Sequence, residues 1–315
     1  MIQLKEVTKI YKTKRSRETP NKTAAIKNLD MSIDKGDVVG YLGVNGAGKS
    51  TTIKLLTGVL IPSTGHIEVL GLNPYKYRKQ NAYNIGAVFG QRSQLIWDLP
   101  PLDTYNLLSK IYEVDNALYK KRLGYLVSSL ALDSLIRIPV RNLSLGQRIC
   151  CEIVSSLLHD PKILFLDEPT IGLDLINKER IIEFIKEINL TSNTTIFLTT
   201  HDINDVEKIC KHIIIIDKGK KIYDGSINKI LQEYGYNSTI KIRTNSIDKE
   251  KISLKYNYIL DDNGITLTFD KRNQSATDIL KDISNSNITI EDISISDTDL
   301  EKIVKSIYVS GVNRC

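Results

Sequence analysis

VVGYLGVNGAGKSTTIKLL, Val38 to Leu56, is the stretch that decides the fold. Its first six residues are an almost unbroken apolar run, the pattern of a strand buried on both faces. Its last part has the apolar spacing of a helix. Between them, Gly43 to Ser50 fits G-x-x-x-x-G-K-[ST] in full, and a strand before and a helix after are the context this phosphate-binding motif requires. The backbone N–H groups of Gly43, Asn45, Gly46, Ala47 and Gly48 are expected to wrap phosphate oxygens, because glycine lets the chain close around an anion at a helix start. Lys49 neutralises the β- and γ-phosphates, the Ser50 hydroxyl can ligate Mg²⁺, and Thr51 lies near the α-phosphate.

Outward from this cradle, short β-branched runs alternate with helical patterns up to about Tyr223, as in a largely parallel sheet covered by helices. ILFLD (Ile163–Asp167), TTIFLTT (Thr194–Thr200) and HIIIID (His212–Asp217) read as further buried strands, and LINKERIIEFIKEINL (Leu175–Leu190) as a helix between two of them. GHIEVLGLNP (Gly65–Pro74) reads as a short antiparallel strand and turn. From about Pro101 to Asp160 three amphipathic helical patterns follow one another without a strand, which predicts a helical insertion. After about Gly235 the chain turns rich in Asn, Ser, Asp and Ile, and strand patterns (STIKIRT, GITLTFD) alternate with helix patterns at Ser275–Ser284 and Asp299–Ser306. This predicts a small separate α+β domain.

Three strand ends carry candidate chemistry. Asp167 closes a buried strand, where a carboxylate is costly unless paired, and an Mg²⁺ ion shared with Ser50 is a natural partner. Glu168 follows at the strand's exit, placed to polarise a water attacking the γ-phosphate. His201 follows the next strand and can donate a hydrogen bond to that phosphate, and Gln91 follows another and can sense Mg²⁺ and the attacking water. LSLGQRICCE (Leu143–Glu152) puts Ser144, Gly146 and Gln147 at a helix start, whose free N–H groups suit a second phosphate. One chain with one cradle leaves open whose phosphate that is.

Composition narrows the setting. A chain of 315 residues with 41% hydrophobic content supports one large and one smaller domain. No apolar run approaches the ~18–20 residues that cross a bilayer, and the N-terminus lacks an apolar secretion segment, so a cytosolic protein is expected. Cys150, Cys151, Cys210 and Cys315 show no metal-ligand spacing and read as free thiols, and the four histidines are scattered. The net charge is +6, and the basic excess lies in the first 235 residues, much of it in KTKRSRETPNK, Lys12–Lys22. A solvated loop is the ordinary reading of that segment and anionic lipid beside a membrane partner the sharper one.

GVNGAGKST, Gln91, LSLGQR, ILFLDEPTIGLD and LTTHD, in this order, resemble the P-loop, Q-loop, signature, acidic strand with D-loop, and switch histidine of the ATP-binding cassette (ABC) ATPases. The segments around GQRSQLIWDLPPLDTYNLL and LSLGQRICCEIVSSLLHDPKILFLDEPTIGLD look like those of separately encoded ATPase subunits of bacterial exporters. The resemblance implies a P-loop NTPase of α/β class with a RecA-like core, an antiparallel β subdomain and an inserted helical subdomain at about 95–160. The nucleotide-binding domain would span 1–235 and the small domain, regulatory or dimer-stabilising, 236–315. It implies ATP and Mg²⁺ as ligands, Lys49, Gln91, Glu168 and His201 in hydrolysis, Ser50, Gln91 and Asp167 at the metal, and Tyr11 stacked on adenine. It further implies a head-to-tail dimer with a second copy or a similar subunit. Ser144, Gly146 and Gln147 of one chain would then complete the other's site, and Asp174 of the D-loop would cross the interface. A polytopic membrane permease is the implied partner, received near residues 92–105 around Trp97, which placed alone reads equally as a core tryptophan. That would hold the protein at the cytoplasmic face of the membrane. No nucleic acid is expected, although a soluble cassette acting on nucleic acid or ribosomes is the alternative that the basic excess suggests. Val44 stands where the family often has Pro, and Leu145 where its signature has Gly; with Ser144, Gly146 and Gln147 in place phosphate contact is expected to survive, while Leu145 bears on the fine geometry and the rate.

Overall fold

The computed structural model describes residues 1–13, 21–90, 93–244, 256–261, 264–285 and 290–312. Gln91, Cys315 and most of the basic segment Lys12–Lys22 lie outside the described residues. The chain divides into two compact units, Met1–Gly225 and Ser226–Cys315.

The first unit runs β1 (Ile2–Thr13), β2 (Asn21–Ile33), β3 (Val38–Gly43), α1 (Lys49–Leu56), β4 (Thr64–Val69), α2 (Arg78–Ala82) and β5 (Ile85–Phe89). Three helices follow, α3 (Pro101–Ile111), α4 (Asn116–Ser129) and α5 (Leu145–Leu157), with no strand between them. The core resumes with β6 (Ile163–Asp167), α6 (Leu175–Ser192), β7 (Thr195–Thr200), α7 (Ile203–Ile209), β8 (His212–Asp217) and β9 (Lys220–Ser226). The strand written as Thr194–Thr200 in the sequence reading thus starts one residue later.

Six strands form a sheet in the order β5-β6-β7-β3-β8-β9, parallel from β5 to β8. Every residue of β6 and β7 is buried, which is why their sequences lack alternation. The register aligns Asp167 with Thr199 and Leu42 with Thr200, so the exits of β6, β7 and β3 stand side by side. In an open parallel sheet, that carboxyl edge is where ligands bind. A second sheet, β2-β1-β4, is antiparallel. Its inner face (Ile2, Leu4, Ile26, Ile33, Ile67, Val69) joins Val39, Tyr41 and Phe197 of the main sheet in one core.

The second unit comprises α8 (Ile227–Tyr234), β10 (Asn237–Arg243), β11 (Asn257–Asp261), β12 (Gly264–Asp270), α9 (Ala276–Ser284), β13 (Asp292–Asp297) and α10 (Leu300–Val312). Its antiparallel sheet, in the order β11-β12-β10-β13, turns Ile240, Ile242, Ile265, Leu267 and Phe269 toward Ile279 and Ile283 of α9. The last helix runs six residues beyond the expected Ser306.

Candidate functional site

The cradle begins where β3 ends and α1 starts. Gly48 caps α1 with φ +114°, a conformation that side chains resist, and a Cβ there would meet the Ala25 carbonyl oxygen at 2.7 Å and Ile26 Cδ1 at 2.6 Å. The motif glycine therefore serves both the turn and the close pass of β2. Lys49 is buried, and its Nζ donates to the Gly43 carbonyl at 2.7 Å. This contact folds the ammonium back over the loop, toward the place where phosphates would lie. Tyr11 is half exposed, and its hydroxyl lies 3.5 Å from Thr51 Oγ1, which puts an aromatic face beside the cradle.

The adjacent strand exits complete a charged cluster. Asp167 is nearly buried and accepts hydrogen bonds from Thr199 Oγ1 at 2.6 Å and Ser50 Oγ at 3.2 Å. Two hydroxyls thus offset the cost of burying the carboxylate. Ser50 Oγ and Asp167 Oδ1 are hard oxygen donors facing each other at one spot, a donor set that fits a small divalent cation keeping several waters. Glu168 has φ +54°, unusual for a side-chain-bearing residue, and is held there by its N–H, which donates to the Thr199 carbonyl at 3.0 Å. Its carboxylate takes partners different from those of Asp167. One oxygen lies 3.1 Å from Lys49 Nζ and the other 3.6 Å from His201 Nδ1. A cavity of about 190 Å³ lies against Glu168 and His201 and is lined also by Ile171, Gly172 and Leu173, with room for water.

Sequence reasoning missed the support beneath this cluster. Lys178, on α6, lies 2.5 Å from Asp202 Oδ2 and 2.7 Å from Asp205 Oδ1, and Thr170 Oγ1 donates to Asp205 Oδ2 at 2.6 Å. Asp205 is buried, so the one carboxylate ties the chain after Glu168 and the chain after His201 to α6. Burial pushes the Asp202 carboxyl up, but the Lys178 ammonium outweighs it and holds the group below the usual carboxylate range. Burial likewise opposes charge on Lys178, yet its two aspartates raise its pKa. The available signal was polar residues in otherwise apolar surroundings: the threonines of TIFLTT and the i, i+3 aspartates of DIND.

Ser144, Gly146, Gln147 and Asp174 form a second cluster at the starts of α5 and α6. Ser144 Oγ accepts from the Gln147 N–H, and Gln147 Oε1 accepts from the Ser144 N–H, a reciprocal cap that leaves Ser144 exposed. Asp174 caps α6 through the N–H and side-chain amide of Asn177. Those hydrogen bonds hold its carboxyl below the usual range. A Cβ on Gly146 would meet the Asn177 amide at 2.9 Å, so the signature glycine lets the two helix starts meet. Leu145 is 44% exposed, and Leu145 Cδ2 would touch a Cβ on Gly172 at 3.3 Å. Among the described residues, the hydrogen bonds of Ser144, Gln147 and Asp174 stay within these helix starts and do not reach the cradle. Trp97 is 51% exposed, with Ile96 and Leu99 also exposed beside it, so it is not a core tryptophan. Cys150, Cys151 and Cys210 are free and buried, and burial pushes the Cys150 thiol up to about 11.

A phosphate cradle between strand and helix, with an aspartate–glutamate pair at a neighbouring strand exit, defines a P-loop nucleotide hydrolase. The sequence profile of the ABC transporter family matches residues 26–171. The Nod factor export ATP-binding protein I of Cupriavidus metallidurans is 31% identical over 231 residues, covering 73% of each chain. The methionine import ATP-binding protein MetN of Bacillus subtilis is 28% identical over 298 residues, 92% of this chain and 86% of that one. The dimeric post-hydrolysis structure of the ATP-binding cassette MJ0796, bound to ADP and phosphate, matches with a TM-score of 0.64 at 28% identity, over 72% of this chain and 99% of that one. The chain belongs to the ABC transporter family as an ATP-binding subunit that hydrolyses ATP.

Proposed function

We propose that two such chains close head to tail on ATP, and that the cycle of closure and hydrolysis powers export through a separate polytopic membrane subunit. The observation that carries this reading is the separation of the two clusters. Ser144 and Asp174 are exposed, and their hydrogen bonds leave the cradle of their own chain aside, so a neighbour's phosphate gives Ser144 its ligand. The dimeric MJ0796 cassette supports the arrangement by analogy.

In this reading Lys49 holds the β- and γ-phosphates, the α1 N-terminus adds its N–H groups, and Tyr11 stacks on adenine. Ser50 and Asp167, with Gln91, would hold Mg²⁺, which when bound neutralises charge on the transferring phosphoryl group. Glu168 orients and deprotonates the attacking water, and His201 fixes both the Glu168 carboxylate and the γ-phosphate. The exposed Trp97, Ile96 and Leu99 offer an aromatic anchor to a cytoplasmic helix of the membrane subunit. No helix among the described residues is long and apolar enough to cross a membrane, so attachment at the cytoplasmic face would run through that subunit. The domain following the cassette is read as regulatory or dimer-stabilising. Export rather than import follows the segments around Leu95 and Leu143 and the Nod factor relative, while the MetN relative is named for import. The nucleic-acid alternative rests on the basic excess alone.

Ser144→Asp tests the arrangement, since a carboxylate there repels a neighbour's phosphate while aspartate, like serine, can cap the helix. ATP binding to single chains should be unchanged and ATP-dependent dimer formation lost, measured by nucleotide titration and by gel filtration. A variant that still dimerised on ATP would remove Ser144 from the partner's site.

A further inference from the structure

Glu152 is a buried carboxylate that the hydrolytic cluster does not use. It lies on α5, two turns after Ser144, and is 7% exposed. Its described donors all come from one short stretch: the Ser93 hydroxyl, the Gln94 N–H at 3.0 and 3.1 Å to its two oxygens, and the Leu95 N–H at 3.5 Å. Burying a carboxylate is costly unless charge-assisted hydrogen bonds offset it, and an alanine here would carry no such cost. Burial indeed pushes the Glu152 carboxyl up, against the pull of those same donors.

The gripped stretch has a particular place in the chain. It begins two residues after Gln91 and ends two residues before Trp97. The same face of α5 reaches Trp97 as well, because Arg148, one turn before Glu152, lies with its guanidinium 5.1 Å from the tryptophan ring centroid. Beyond Trp97 the grip continues on the approach to α5: the Arg141 N–H donates to the Trp97 carbonyl at 3.0 Å and the Val140 N–H to the Leu99 carbonyl at 3.1 Å. Residues 93–99 are therefore fastened along the helix whose first residues include Leu145 and Gly146, and Glu152 holds the end nearest the ATP core.

We propose that Glu152 is a positioning residue, a clamp that makes residues 93–97 move with α5, so that engagement of Ser144 by a partner's ATP is transmitted to Trp97. This rests on the dimer reading above and adds to it the link between the nucleotide and the surface offered to the membrane subunit. Removing the carboxylate leaves both ends of the path intact and takes away its buried link at residues 93–95, leaving only the contacts of Arg148, Arg141 and Val140.

Trp97 is the only tryptophan in the chain, so its fluorescence reports this segment alone. In a Glu168→Gln background, with magnesium and ATP, dimer formation is followed by gel filtration and Trp97 emission by excitation at a wavelength ATP does not absorb. The parent should dimerise and shift or quench its emission. Glu152→Ala should still bind ATP and dimerise, while the emission change falls at least threefold. Glu152→Gln keeps the side-chain volume and serves if the alanine variant does not fold. A Glu152 variant that dimerises with the full emission change overturns the clamp, and so does a parent whose Trp97 ignores dimer formation. A parent that stays monomeric on ATP overturns the dimer reading instead. A variant that folds and binds ATP but no longer dimerises makes Glu152 a support of the signature itself, and likewise rejects the clamp.

Discussion

Replacing Glu168 with Gln keeps the shape of the side chain and removes its charge, which separates two tasks the residue performs. The carboxylate is expected to activate water, and it also pairs with Lys49, the group an arriving γ-phosphate must share. At the observed 3.1 Å, an effective dielectric near 20 gives a bare attraction of about 5 kcal/mol. Both groups are largely withdrawn from water, so desolvation cancels most of it, and a net of about 1–2 kcal/mol is the reasonable scale. Freeing Lys49 should therefore tighten ATP binding by roughly 5–30-fold. Loss of the general base should slow hydrolysis by about 10²–10⁴-fold. Together these effects should trap an ATP-bound dimer. Titration with a fluorescent nucleotide reads the first effect, phosphate release the second and gel filtration with magnesium and ATP the third. Normal turnover would remove Glu168 from its assigned role. Slow turnover with unchanged affinity would show that the Lys49 pair does not compete with the phosphate.

Lys178→Met keeps the aliphatic stem but leaves the buried Asp205 without its ammonium, a change expected to cost about 3–5 kcal/mol of stability and to lower kcat through the loops of Glu168 and His201 more than it raises KM. Lys178→Arg should recover most of the rate, and a methionine variant with unchanged melting temperature and kcat would show the network to be incidental. The same pair sets an acid response. Because the Asp202 carboxyl is held below its usual range, the stability it contributes is complete above that range and is lost as pH falls through the depressed value. Thermal melts should thus fall more steeply on acidification in the wild type than in Lys178→Met, and parallel curves would refute the linkage. Trp97→Ala should weaken co-purification with the membrane subunit and leave basal hydrolysis in place, and unchanged capture would reject Trp97 as its anchor.

Much of the cassette was legible because its signals are local. Val38–Gly43, Ile163–Asp167 and His212–Asp217 are strands with the bounds their apolar runs suggest, since strands buried on both faces must be apolar throughout. The long β1–β2 pair was harder to read. Register shifts between Leu4 and Val7, Val7 and Lys9, and Lys9 and Ile10 break the alternation that would mark a half-buried strand. The exposed β13 offered only a short isoleucine–serine alternation.

By itself the sequence determined the pieces that depend on a few neighbouring residues: the cradle, because Gly48 must adopt a backbone few other residues tolerate, and the helix start at Ser144, because Ser and Gln three apart cap each other. Only the tertiary structure decided what stands beside what. Strand order brings Lys49, Asp167, Glu168 and His201 to one sheet edge. Packing gives Lys178 its two aspartates, and a buried position on α5 gives Glu152 its grip on residues 93–95. The physical reason is that such contacts join residues from about 25 to more than 100 positions apart, and their energy comes from burial and pairing across space, which leave no period in the chain.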